Sequence, residues 1–304
     1  MRRLLAAAAI VLAPTLHALE SLELGPGVFA FVGSSDEASI ENGARVGNGG
    51  FIVGPAGTLV INTGTSYQHG REMLKTAERL GGQPVTAVVI TQPLQEFLMG
   101  NAAFSERDIT IQAPAESAEL IAARCAQCLD NLKHMLGDQT MAGTRIVVPE
   151  ALDHNDGTFT VGGRELTLIL PGRGSAPGDL AVFDRATGIL FAGALVSNRR
   201  IPELRDADVD GWHAALAQLR ALAIKTVVPG YGPIADETLI DATETYLMAL
   251  TAAVEAALEA GLSLTDALKV VTLPEYAGWA RYAPVHRRNV QHEYLRLEAK
   301  RFGD

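Results

Sequence analysis

Histidine and cysteine, the side chains that hold most transition metals, are scarce in this sequence: seven His and two Cys among 304 residues. No two histidines stand at His-x-His or i, i+4 spacing, which excludes the usual local patterns of a histidine-rich metal centre. His17, His69, His134, His154 and His213 are scattered, and His213 falls on an amphipathic helix where exposure is expected. His286 and His292 flank Arg287 and Arg288, where a solvated face is expected. Basic charge is short as well, with 25 Lys and Arg against 35 Asp and Glu, a net charge of −10. That balance argues against nucleic acid as a partner, because phosphate backbones need clustered cations. Beyond the N-terminus there is no long uncharged apolar run, so no membrane insertion of the mature chain is expected. Low-complexity linkers are missing too, which favours one domain over several.

The two cysteines form a Cys125-Ala-Gln-Cys128 unit. In an oxidising compartment such a pair closes a disulfide. A thioredoxin-type redox motif needs a strand, the motif and a helix in sequence. Here the pair lies inside a helical stretch from Glu116 to Leu136 with no strand just before it, so the disulfide is the preferred reading.

Apolar residues make up 48% of the chain and charged residues 20%, enough for a sizeable core. Arg2 and Arg3 precede an apolar run from Leu4 to Ala13, followed by Pro14 and Ala18. That order is the pattern of a secretory signal, and the run is short of the roughly 20 residues that span a bilayer. Residues 1–18 are therefore expected to be removed and the mature chain to be periplasmic. Strands are expected at Val28–Gly33, at the hairpin Gly50–Gly54 and Thr58–Ile61, and at the buried run Val85–Thr91. Helices are expected over Gln68–Leu80 and Glu96–Phe104, with a strand at Ile109–Ile111 between the latter and the Cys helix. A second set of strands starts near Ile146 and runs through a hairpin at Phe159–Leu170 to Leu180–Phe183, Ile189–Ala192 and Thr226–Val228, with a helix near Gly211–Leu222. Three helices end the chain, at Glu237–Ala260, from an N-cap at Ser263 to Val271, and at Val290–Phe302. Two successive sets of strands, each closed by helices, favour an α/β sandwich of two sheets with helices outside.

The loop Thr91-Gln92-Pro93-Leu94-Gln95-Glu96-Phe97-Leu98-Met99-Gly100-Asn101 resembles the metallo-β-lactamase superfamily loop His-x-His-x-Asp-His-x-x-Gly-Asn. Further segments follow in the same order. Val60-Ile-Asn62-Thr-Gly64 resembles an "Ile-Asp-Thr-Gly" turn, and Ser175-Ala-Pro-Gly178-Asp179 resembles "His-Thr-x-Gly-Asp". Phe191-Ala-Gly-Ala194 resembles "Phe-Ala-Gly-Asp", and Val228-Pro-Gly230-Tyr231-Gly232-Pro233 resembles "Val-Pro-Gly-His-Gly-Pro". The resemblance spans about residues 28 to 235 and implies an αββα metallo-β-lactamase-like sandwich over 19–235, with residues 236–304 as a helical extension packed on it. It also implies that Asn62, Gly64, Gly100, Asn101, Gly178, Asp179, Gly230 and Gly232 are retained scaffold, with Asp179 holding its loop.

At the positions where the resemblance implies metal ligands, this sequence has Gln92, Leu94, Glu96, Phe97, Ser175, Ala194 and Tyr231. Only Glu96 is a good donor, so zinc is not expected. Glu96 is read as favouring a helix start through the dipole rather than as a general acid or base. Ser175 lacks an adjacent histidine base. The expected role is a non-catalytic binding or accessory protein for a small molecule or a periplasmic partner. The alternatives are a divergent hydrolase of lactam, lactone, ester or thioester bonds, and a thiol–disulfide protein using Cys125 and Cys128. The Cys helix, Met141–Thr144, Arg200–Asp206, Gly211-Trp212 and the tail around Arg288–Glu298 also resemble the secreted quinoprotein relay system zinc metallohydrolase group. That likeness implies a link to pyrroloquinoline-quinone-dependent (PQQ-dependent) alcohol oxidation.

Overall fold

Strands that alternate two apolar faces need cover on both sides, and this requirement sets the layering here. The structure is a computed structural model that describes residues 21–152 and 157–303; the segment expected as a signal lies outside the described residues. The first sheet contains β1 (Ser21–Gly25), β2 (Val28–Phe31), β3 (Gly49–Gly54), β4 (Gly57–Ile61), β5 (Val85–Val89), β6 (Thr110–Ala113) and β7 (Glu150–Ala151), in that spatial order. The pairs β1 to β4 are antiparallel and those from β4 to β7 parallel. Helices α1 (Tyr67–Gly81), α2 (Gln95–Leu98), α3 (Asn101–Ser105) and α4 (Ala115–Thr140) belong to the same half of the chain.

The second sheet is ordered β12 (Thr226–Tyr231), β11 (Ile189–Ser197), β10 (Pro177–Asp184), β9 (Arg164–Arg173) and β8 (Thr158–Val161). Its helices are α5 (Val209–Arg220), α6 (Thr238–Glu259), α7 (Leu264–Val270) and α8 (Arg287–Phe302).

Side-chain alternation sorts residues cleanly between layers. Val28, Ala30, Ile52, Leu59, Ile61 and Val89 meet Leu180, Val182, Ile189 and Phe191 between the sheets. Their neighbours Phe29, Phe31, Phe51, Val60 and Val88 face α1, α3 and α4 instead. On the second sheet, Ala181, Phe183, Leu190 and Ala192 face Trp212, Leu216, Tyr246, Leu250 and Val290 of the outer helices. Arg164 joins the sheets. Its guanidinium bonds Asp184 through Nε at 3.1 Å and Nη2 at 2.6 Å, and through Nη1 the carbonyls of Pro26 at 3.0 Å and Val53 at 2.9 Å. Asp184 has no exposed surface. Burial alone would raise its pKa, but Arg164 and the Thr187 hydroxyl hold it below the usual carboxylate range.

Some expectations need correction. The helix expected over Glu96–Phe104 is two short ones, α2 and α3, broken at Gly100. A Cβ on Gly100 would lie 2.0 Å from the Thr63 carbonyl and 2.9 Å from Gly70, so loop and helix close up only through paired glycines. The strand expected from Ile146 is reduced to Glu150–Ala151, and β1 was not foreseen. His286 is buried rather than solvated: its ring stacks on Tyr282 at 4.8 Å and its Nδ1 is 3.1 Å from the Tyr246 hydroxyl. His292 is half-buried, and so is His213, which pairs with Glu244 at 3.0 Å. The C-terminal helices are tied back by Asn289, whose side chain accepts from Leu204 N–H and donates to Pro202 and Tyr246.

Replacing Arg164 by Met strands a buried carboxylate, and chemical denaturation should show a loss of about 3 kcal/mol at neutral pH. Because Asp184 titrates below its unfolded value, this stabilisation is present above about pH 4 and fades as pH falls through the lower folded value. The gap between wild type and Arg164→Met should therefore narrow in acid.

Candidate functional site

The seven residues Gln92, Leu94, Glu96, Phe97, Ser175, Ala194 and Tyr231 come from four separate segments, and the fold gathers them at one end of the sandwich. They occupy two levels. Gln92 and Phe97 are fully buried beneath, while Leu94, Glu96, Ser175, Ala194 and Tyr231 form part of the wall of a cleft of about 380 Å³.

The lower level is a closed hydrogen-bond network. Gln92 Nε2 donates to Ser175 Oγ and to Asp179 Oδ1, each at 2.5 Å, and its Oε1 accepts from Ala194 N–H at 2.6 Å. Ser175 Oγ donates to Asp179 Oδ1 at 2.8 Å, and Ala176 N–H reaches Asp179 Oδ2 at 3.2 Å. Asp179 is fully buried. Desolvation pushes its pKa up to about 6, against the pull of the Gln92, Ser175 and Ala176 donors.

Beside this network stands an apolar plug, in which Phe97, Val46, Ala194 and Tyr231 pack together with the half-buried Leu94. The Phe97 and Tyr231 rings lie 5.4 Å apart. Tyr231 donates its hydroxyl to Glu96 Oε1 at 2.5 Å. Burial, then the Glu96 charge, raises the phenol well above its ordinary value, so it remains a donor at neutral pH. Glu96 does lie in the first turn of α2, but it makes no cap: the N-cap is Leu94, without a side-chain bond. Its carboxylate serves Tyr231 instead.

The other scaffold residues hold these loops. Asn62, at φ 63°, accepts from Thr91 N–H and Oγ1 at 3.0 Å each and donates to the Asn48 carbonyl at 3.1 Å. Thr63 donates to Asn101 Oδ1 at 2.7 Å, and Asn101 donates to the Val147 carbonyl at 2.9 Å. Gly64, Gly178 and Gly232 all have positive φ. At Gly232 a Cβ would also lie 2.0 Å from the Asn198 carbonyl. Gly230 accepts from Asn48 N–H at 2.8 Å. Asn48 was missed in the sequence. Its side chain donates to the carbonyls of Pro229 and Gly232 and accepts from Gly33 N–H, so it anchors the Tyr231 turn. The only local signal is a polar residue among glycines in Gly47-Asn48-Gly49-Gly50.

Sequence reasoning also missed most of the opposite wall. Arg200, Arg205, Arg281 and Arg288 face the cleft, together with Glu203, Asp206 and His292. Cys128 opens onto it as well, from one turn beyond the buried Cys125. The pair expected as a disulfide stands as two free thiols. A hydrogen bond from the Cys125 thiol, assisted by Arg205, holds Cys128 down to about 7 and leaves Cys125 raised. Among the described residues no group of three or more His, Cys, Asp or Glu is placed to hold a metal ion, and no helix is long and apolar enough to cross a membrane.

The family model for the metallo-beta-lactamase superfamily matches residues 128–231. Solved structures extend the likeness over both sheets. A metallo-beta-lactamase from Pontibacter korlensis aligns over 76% of this chain and 99% of its own, with 23% identity and a TM-score of 0.62. The chain has the metallo-β-lactamase fold. TMB-1 aligns over 77% of this chain and 98% of its own at 19% identity and a TM-score of 0.60. A double mutant of the sec-alkyl sulfatase PisA1 matches 91% of this chain and 50% of its own at 17% identity, with a TM-score of 0.70. No curated protein matches the sequence.

Within this metallo-β-lactamase fold, Asp179 gives the buried network a pH signature. Its folded pKa, about 6, lies above the unfolded value near 4. Its contribution to stability is therefore full below about pH 4 and lost as pH rises through about 6. Asp179→Asn should cost about 1–3 kcal/mol through unmatched donors. Its stability deficit against wild type should grow from pH 7 to pH 4.5 in urea titrations. A deficit that stays constant would show that Asp179 does not titrate in this range.

Proposed function

We propose that the protein is a non-hydrolytic relative within the metallo-β-lactamase fold that uses its cleft for binding, and that zinc is not its cofactor. The carrying observation is the Gln92 amide. Its nitrogen and oxygen both already serve Ser175, Asp179 and Ala194, and Gln92 itself has no exposed surface. Zinc needs three or four converging nitrogen, sulfur or carboxylate donors. The residues here do not fit that need: Leu94, Phe97 and Ala194 offer no electron pairs, and Glu96 is engaged by Tyr231. A structural zinc site contributes on the order of 10 kcal/mol or more, beyond the reach of one carboxylate.

The charged, apolar and small-residue order of residues 1–18 supports export to the periplasm. The likeness to the quinoprotein relay group supports an accessory place beside PQQ-dependent alcohol oxidation, with a small molecule or a periplasmic protein as the partner. Both rest on sequence pattern rather than on the site.

One observation favours a second reading, a divergent hydrolase of lactam, lactone, ester or thioester bonds. Ser175 is on the cleft wall and donates to Asp179, a carboxyl whose pKa is near the range of a general base. Against it, Ser175 is buried and also receives the Gln92 amide hydrogen.

Metal analysis of mature protein purified from the periplasm should find no stoichiometric zinc, and neither zinc nor chelator should shift its melting temperature. About one ion per chain would overturn the reading. A screen of esters, lactones, lactams and thioesters should show no turnover above buffer. Turnover abolished by Ser175→Ala, Glu96→Gln or Tyr231→Phe would establish the hydrolase instead.

A further inference from the structure

We propose that the cleft is a receptor for a small organic anion bearing two or more carboxylate or phosphate groups, anchored on Arg200 with Arg205 and Arg288 at the rim. This deepens the binding reading above and rests on it. The chain as a whole carries a net charge of −10, yet four guanidiniums face this one cleft. The carboxylates beside them are already shared. Glu203 serves both Arg281 and Arg288, and Asp206 serves both Arg205 at 3.1 Å and Arg124 at 2.8 Å. Glu96 is held by the Tyr231 hydroxyl.

No carboxylate is left for Arg200. It is 6% exposed and has no ion-pair partner among the described residues. Its compensation is one hydrogen bond to the Asp36 carbonyl at 3.2 Å and the face of the Tyr231 ring, whose centroid lies 4.9 Å from the guanidinium carbon. A guanidinium carries five N–H donors in a planar fork that suits oxyanions. One carbonyl and one aromatic face leave most of that capacity unused on the side that opens to the cleft. An oxyanion entering the cleft supplies what is missing.

The surroundings narrow the ligand. A cleft of about 380 Å³ is the size of a small-molecule site. Arg200, the cleft arginine without an ion pair among the described residues, opposes a metal ion or an amine, while Leu94 and Ala194 offer apolar surface to the body of an organic acid. Arg205 and Arg288 have side chains 63% and 53% exposed, so they are free to close on a bound anion without rebuilding the core. Cys128, on the same wall, is a built-in reporter of occupancy.

The test uses the full mature chain, reduced, at low ionic strength, with citrate, pyrophosphate and uncharged triethyl citrate as probes. Citrate, pyrophosphate or both should raise the melting temperature, show saturable binding by calorimetry and slow alkylation of Cys128 by iodoacetamide at least threefold. Triethyl citrate should do none of these. Whichever of the two anions binds more tightly identifies the preferred headgroup. Arg205→Gln and Arg288→Gln should keep the fold and each weaken binding about tenfold. Arg200→Met should abolish binding, read at a temperature where circular dichroism shows it folded. If Arg200→Met does not fold, the two rim variants carry the test alone. Unchanged alkylation and melting with both anions, or unchanged affinity in both rim variants, would overturn the inference. Zinc in the resting protein or substrate turnover would instead overturn the non-hydrolytic reading, whatever the anion affinity.

Discussion

The Gln92 side chain sits between loops of the two sheets with no surface exposed, and its amide must find every partner inside the protein. A buried amide left unmatched costs on the order of 1–3 kcal/mol per group. Here Ser175 and Asp179 take its hydrogens and the Ala194 N–H takes its oxygen, so three chain segments are held in one relative position. The Asp179 carboxylate then collects Ser175 and Ala176 as well. Polar satisfaction at the base of the cleft is thus complete without any outside group. In that arrangement the protein's donors and acceptors converge on each other.

Above the network, chemistry passes to the segment between β11 and α5 and to the C-terminal part of the chain. Arg281 and Arg288 reach the cleft wall because Asn289 fastens α8 to the Pro202–Leu204 backbone and to Tyr246. Arg200 lies against Tyr231, so the phenol has a cation on its face and a carboxylate on its hydroxyl. The outer helical layer is therefore more than cover for the second sheet. It adds Arg288 to the cleft, while Arg200, Glu203, Arg205 and Asp206 come from the segment between β11 and α5.

Much of the architecture was legible from local pattern. Short apolar runs and a hairpin placed β2 to β4, a nearly continuous apolar run placed β5, and Ser263 capped α7 by accepting from Asp266 N–H as expected. Seven candidate site residues were gathered by the fold at one end, as their order in the chain suggested. What escaped was decided by contacts far apart in sequence. β1 is a half-exposed edge strand with little apolar signal. The break at Gly100 depends on a carbonyl from Thr63 and a glycine from α1. His286 looks solvated beside two arginines, but its ring turns inward onto Tyr246 and Tyr282.

By itself, then, the sequence determined the layers and the residue types at the loop ends. Periodicity, caps and turn residues act over a few positions, and the absence of histidine pairs is a property of the string alone. Only the tertiary structure decided that Glu96, in the first turn of α2, takes the Tyr231 hydroxyl, and that Gln92 is saturated. It alone left the Arg200 guanidinium without a carboxylate among the described residues, in a cleft shared with Arg281 and Arg288. The physical reason is range: a side chain's burial and its charge partners depend on which distant segments the packed core brings within a few ångströms, and no local pattern encodes that.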